Sequence, residues 1–265
     1  MKRKPIRTVE IKPNVYHILH PGNVYSTLIV GRESALLIDT GFGLVDLKAY
    51  IESVTDKPYV VVNTHGHPDH ILGNPDFPYT YISKEDEALA RYYVTEPMMQ
   101  ETKEDLVKFD AISGGEEGSL WEDTQMTFRY LEPGERFELG GISLKVVALS
   151  GHTRGSIGLL WEEERFLFAG DALNPGLWLF MEECSTIQEY RKMLVETEKL
   201  PFDSYLYSHS EDIVPKAFLK DVIDHIDSLK HDDSTEQQIH GYQTFTARYE
   251  GRYGVSEIVY GREKL

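Results

Sequence analysis

Between residues 64 and 70 the chain reads Thr-His-Gly-His-Pro-Asp-His, which sets His65, His67, Asp69 and His70 within six consecutive positions. Imidazoles and carboxylates together suit zinc, and equally iron or manganese, as bound cations. Such a cation polarises a carbonyl or phosphoryl oxygen, and it lowers the pKa of a water to about 7 so that hydroxide is available at neutral pH. Three more residues of the same chemical type lie far along the chain, each just past an apolar run: Leu149 leads to His152, Ala169 to Asp171 and Tyr207 to His209. His65 and His67, two apart in an irregular turn, can aim both rings at one cation, while Asp69 and His70 face a second. The other histidines, His17, His20, His225, His231 and His240, have no such context and are read as surface or polar-core residues without a role.

Residues so far apart in sequence meet only if the elements before them end at one edge. Short apolar runs predict strands over Ile6–Ile11, Val15–Leu19, Tyr25–Val30, Ala35–Ile38 and Tyr59–Val62, then Met126–Leu131, Ile142–Leu149, Ile157–Trp161, Phe166–Ala169 and Tyr205–Tyr207. Tyr242–Tyr249 and Val255–Tyr260 predict a closing hairpin. Helical spacing links Leu44, Leu47 and Ile51, then Ile187, Tyr190 and Leu194, then Phe218, Val222, Ile226 and Leu229. The alternation is that of an α/β fold, in which ligands bind outside the carboxyl ends of the strands. From Ser83 to Ile112 the composition is helical and acidic, with Ser83 and Asp86 as a cap and Pro97 between two pieces. An insertion at about 83–113 is therefore expected over the site as a lid, followed by a loop at Gly114-Gly115 and Gly118. The charged stretch Lys230–Glu236 reads as a solvated connection.

The 265 residues, 41% hydrophobic and 27% charged, can bury one sizeable core, and a single domain is the simplest expectation. A net charge of −17 opposes broad binding to nucleic acid or anionic membrane. One cysteine, Cys184, allows neither an intrachain disulfide nor a thiolate zinc cluster and fits a reducing compartment. Thr8 and Glu10 interrupt the apolar run that a signal peptide would need after the basic Met1–Pro5, and no apolar stretch is long enough to span a membrane. The protein is expected in the cytoplasm.

In these residues the chain resembles the metallo-β-lactamase superfamily: Thr64–His70, Gly151-His152-Thr153 with Gly155-Ser156, Phe168-Ala169-Gly170-Asp171 and His209 follow the family's order. Leu37-Ile38-Asp39-Thr40-Gly41 resembles its early strand-and-turn motif. The resemblance implies a four-layer αββα sandwich, two mixed sheets flanked by helices. It implies two divalent cations, zinc first and iron or manganese otherwise, with His65, His67 and His152 on one, Asp69, His70 and His209 on the other, and Asp171 bridging. Asp39 would support the site without binding metal, and Asp69 would orient the attacking hydroxide.

The implied activity is hydrolysis of an ester, thioester, lactone or phosphoester of a small molecule, and the net positive metal core leaves an anionic substrate open. Tyr92–Met99 and Asn174–Phe180 are expected to wall the substrate pocket, with Arg154, Trp178 and Tyr207 touching substrate. The alternative is a mononuclear iron enzyme resembling the superfamily's persulfide dioxygenases, which share a stretch like Gly170–Leu173. The superfamily's diiron flavoproteins carry a glutamate where this chain has His67, together with a flavodoxin domain that it lacks. No basic glutathione patch stands out in Tyr242–Leu265.

Overall fold

A computed structural model describes residues 5–108, 111–112, 121, 124–230 and 234–265. The expected loop at Gly114-Gly115 and Gly118, and His231, lie outside the described residues. Seven strands form the first sheet in chain order: β1 (Arg7–Lys12), β2 (Val15–His20), β3 (Val24–Val30), β4 (Ala35–Ile38), β5 (Tyr59–Val62), β6 (Thr80–Ser83) and β7 (Phe128–Leu131). The first four pair antiparallel through short turns, and β4 to β7 pair parallel. Helix α1 (Leu47–Val54) makes the β4-to-β5 crossover, opened by Asp46, whose carboxylate accepts from Ala49 N–H at 3.1 Å.

The second sheet contains β8 (Arg136–Glu138), β9 (Ser143–Ala148), β10 (Ile157–Trp161) and β11 (Phe166–Phe168), then β13 (Ser204–Leu206) and β14 (Val214–Pro215), after an excursion through β12 (Gly176–Leu179). Its strands run antiparallel except for the parallel pair β11 and β13. Strand periodicity sorts the residues into layers. Leu36 and Ile38 of β4 meet Leu144, Val146, Leu159 and Phe166 between the sheets. Leu37 and Ala35, one step out of phase, pack with Leu47 and Ile51 of α1 on the outer face. On the far side Val147, Leu160, Leu167 and Tyr205 meet α5 (Ile187–Thr197) and α6 (Phe218–Ser228). The result is the expected α-β-β-α order.

A third sheet was not expected. Here β15 (Thr235–Ile239), β16 (Tyr242–Glu250) and β17 (Val255–Tyr260) form a meander, and β17 takes β12 as a parallel neighbour. Lys230–Glu236 is therefore not wholly a solvated connection, since β15 begins at Thr235. The strand is polar over most of its length and exposed, so no hydrophobic alternation announced it. Between β6 and β7 lie α3 (Glu87–Tyr93) and α4 (Glu96–Lys108), seated on Leu44, Ile71, Leu72 and Ile82. Among the described residues no helix is long and apolar enough to cross a membrane.

His225 of α6 is buried, with Nδ1 2.7 Å from Ser256 Oγ and its ring stacked on Tyr249. Burial pushes its pKa down to about 4, against 6.5 when unfolded. Below pH 6.5 the unfolded chain takes up a proton that the folded chain refuses, so stability is full above 6.5 and falls as pH drops toward 4. His225→Gln should make that decline shallower, measured as the urea midpoint between pH 7.5 and 4.

Candidate metal centre

The ligand-type residues gather at one edge because β4, β5, β9, β11 and β13 all end there. Beyond β5 the chain turns through His65-Gly66-His67 into the single helical turn α2 (Pro68–Ile71), with Pro68 at its first position and Asp69 in its first turn. Gly66 is required, since a Cβ there would lie 2.9 Å from Asp86 O and 3.0 Å from Ala90 N. Gly170, before Asp171, has φ +55°, and a Cβ on it would meet Thr64 at 2.7 Å.

Three imidazoles form the first set. His67 Nδ1 lies 3.1 Å from His65 Nε2 and 2.9 Å from His152 Nε2. These contacts join ring nitrogens whose partners across each ring are already engaged. His65 Nδ1 lies 3.0 Å from Thr64 Oγ1, His67 Nε2 2.9 Å from Glu183 Oε1, and His152 Nδ1 3.2 Å from Trp178 O. Outer N–H groups donating to those oxygens leave three lone pairs aimed at one point, the geometry of imidazole ligands with their supporting shell. Burial holds His65 well below the usual imidazole range and brings His152 down to about 4, helped by neighbouring rings. Both are therefore neutral and available to a cation.

The second set holds Asp69, His70, Asp171 and His209. His70 Nε2 lies 3.3 Å from Asp69 Oδ2 and 3.6 Å from Asp171 Oδ1. His209 Nε2 lies 2.9 Å from Asp171 Oδ2 and 3.5 Å from Asp69 Oδ2. The outer nitrogens again have acceptors, Asp39 Oδ2 at 2.8 Å for His70 and Asn23 O at 2.9 Å for His209. His70 Nε2 and Asp171 Oδ1 are buried without any hydrogen-bond partner. A lone pair facing a carboxylate in a buried site is repulsive unless positive charge sits between them. Burial alone would lower the His70 pKa, yet Asp69, Asp171 and Asp39 hold it well above its usual value. His209 likewise rises to about 9 against its burial, chiefly through Asp171. This donor set demands positive charge, and a divalent cation fits it. Asp171 reaches both sets, its Oδ2 being 3.9 Å from His152 Nε2.

Asp39 stands where expected. Its φ is +59°, and its carboxylate accepts from Thr64 N–H at 2.7 Å, from Thr64 Oγ1 at 2.8 Å and from His70. Two further carboxylates support the site without having been expected there. Asp86 is buried and accepts from Gly66 N–H at 2.9 Å, Gly155 N–H at 2.7 Å and Thr153 Oγ1 at 2.6 Å, tying the turn of His65 and His67 to the loop of His152. Burial pushes its carboxyl above the usual range against the pull of these donors. Glu183 accepts from His67 and, at 3.3 Å, from Tyr93 O–H.

His67 and His152 of the first set and Asp69, Asp171 and His209 of the second line the floor of a cavity of about 930 Å³. Leu89, Tyr92, Tyr93, Met98 and Leu106 of α3 and α4 form one wall, and Trp178, Met181 and Tyr242 another. Arg154 and Trp178 line it as expected, whereas half-buried Tyr207 instead packs on the core under α5 and α6. Leu177 and Phe180 are buried in the protein, and Met99 of α4 packs against the cluster of Leu44, Ile71 and Leu72. His240, given no role above, lines the cavity at the tip between β15 and β16, with Nδ1 3.2 Å from Asp105 Oδ2.

Known proteins resemble the chain in sequence and in fold. The profile of the metallo-beta-lactamase superfamily matches residues 19–212. Acyl-coenzyme A thioesterase MBLAC2 of Bos taurus is 29% identical over 199 residues, covering 68% of each chain. A hydroxyacylglutathione hydrolase of Francisella tularensis is 28% identical over 180 residues, 68% of this chain and 59% of that one. The fold superposes on a metallo-beta-lactamase from Pontibacter korlensis with TM-score 0.61 and 16% identity, over 85% of this chain and all of the other.

Replacing Asp86 by Asn puts an amide N–H against one of two backbone donors. The substitution is expected to weaken zinc binding by roughly 10- to 100-fold while the far-ultraviolet circular dichroism stays native, with affinity read by chelator competition.

Proposed function

The chain belongs to the metallo-β-lactamase superfamily, and on that premise we propose that it is a binuclear metallo-hydrolase, with zinc in both sets, that cleaves a thioester or ester of a small molecule. The reading rests on one observation: five imidazoles with engaged outer nitrogens turn their inner nitrogens toward two adjacent points, with Asp171 between them. Relatives named as thioesterase and hydroxyacylglutathione hydrolase support the choice of bond. The persulfide dioxygenase alternative would leave one of two assembled donor sets idle, and nothing in the cavity favours it.

Cations held there would supply Lewis acidity and a water acidic enough to ionise at neutral pH. Asp69, half-buried and held down to about 2 by His70 and His209, accepts a hydrogen bond from the attacking water and fixes the direction of attack. Tyr92, Met98 and Trp178 hold the acyl group and exclude bulk water, with α3 and α4 acting as the cover. At the rim Glu101, Asp105 and Glu182 outnumber Arg154 among the described lining residues. That balance supports a leaving group without phosphates, in place of the anionic substrate left open by the metal core alone.

His152→Ala should lose metal and turnover together, with metal content measured by atomic emission. Asp171→Ala should reduce occupancy of both sets. For one acyl group, the N-acetylcysteamine thioester should show kcat/KM at least about tenfold above the coenzyme A thioester, since the three rim carboxylates repel a polyanion. The reverse order would remove the charge argument, and no hydrolysis of either would remove the thioester reading.

A further inference from the structure

Two of the five outer contacts of the imidazoles depend on chain beyond residue 212, where the superfamily match ends. Trp178 O, the acceptor for His152, belongs to β12, which is held as an edge strand by β17: Trp178 pairs with Val259 and Leu179 with Tyr260. Glu183, the acceptor for His67, lies on the loop that follows β12 and is in no strand or helix. That loop needs another anchor, and Lys264 provides one. Lys264 is 8% exposed, and its ammonium donates to Cys184 O at 2.8 Å and Glu182 O at 3.4 Å, the carbonyls flanking Glu183 on either side.

A buried ammonium is costly to desolvate unless its donors are satisfied. Lys264 meets that need by gripping main-chain oxygens, which fixes the loop's backbone in place. Its own turn is set by Lys264 N–H donating to Gly261 O at 3.0 Å, directly after β17. The arrangement forms a line of contacts from Lys264 through the backbone of Glu182 and Cys184 to the Glu183 carboxylate and then to the His67 ring. Glu183 also receives Tyr93 O–H from α3, so the same carboxylate joins the cavity wall to the imidazole.

We propose that Lys264 is a positioning residue for the first cation set, acting through Glu183 on His67. The proposal rests on the reading of His65, His67 and His152 as cation ligands. It makes the region after residue 212 part of the metal centre's support.

The test is a double-mutant cycle on the full chain, with zinc alone as the probe and affinity read by competition against a chromophoric chelator. Lys264→Met should weaken zinc binding roughly tenfold, and Lys264→Arg, which keeps donors for both carbonyls, should restore most of it. Glu183→Ala should weaken it at least as much, and Lys264→Met added to Glu183→Ala should change little further. A purely structural lysine would give additive losses in the cycle, and that result overturns the proposal. So does unchanged zinc affinity in Lys264→Met beside a weakened Glu183→Ala. If Lys264→Met does not fold, Lys264→Gln takes its place in the same cycle. His65→Ala with undiminished zinc binding would instead overturn the ligand reading on which the proposal rests.

Discussion

An imidazole has two nitrogens, and a hydrogen bond that engages one dictates what the other offers. In this protein that constraint organises a whole edge of the sandwich. Thr64, Glu183, Trp178, Asp39 and Asn23 supply the five outer acceptors, and they come from different loops and strands. Each must be anchored before the inner nitrogens can converge. The buried carboxylates therefore act at one remove from any cation: Asp39 binds a backbone amide, a hydroxyl and a ring together, and Asp86 binds two glycine amides and a threonine hydroxyl. Removing such groups leaves neighbours with unsatisfied donors, which costs more than the single bond lost.

Much of this was legible in the sequence because ligand spacing and strand endings are local patterns. Four ligand-type residues crowded into six positions are hard to account for except as a cation site, and β4, β5, β10 and β17 match the apolar runs closely. Asp39 was legible through the motif around it. Asp86 and Glu183 were not, since a single acid among 44 carries no local mark and its importance depends on what folds against it. The third sheet was hidden for a related reason: Thr235–Ile239 gains its strand conformation by pairing with Tyr242–Thr246, with little apolar surface to signal burial. Tyr207 shows the opposite error. Nearness to His209 in sequence suggested the cavity, but its ring lies on the other side of the strand end, against the core.

The acidic composition and the cation-demanding floor are compatible because burial separates them. At the floor, carboxylates close to His70 and His209 raise the affinity of those rings for positive charge. At the rim, carboxylates facing solvent act through a screened field that discriminates among arriving molecules more than it stabilises the fold. His65 and His152 are neutral for a different reason, the cost of charging a ring away from water. One edge thus contains rings kept uncharged and rings drawn toward charge within a few ångströms, and Asp171 is the boundary between them.

Neither donor set belongs to one sheet. His65 and His67 follow β5 and His152 follows β9, while Asp69 and His70 of α2 face Asp171 after β11 and His209 after β13. A cation in either position would therefore staple the first sheet to the second at their shared edge and resist shear between them. Because both sets open onto the cavity, a cation could leave without the sheets parting first, and its loss would loosen that seam from within.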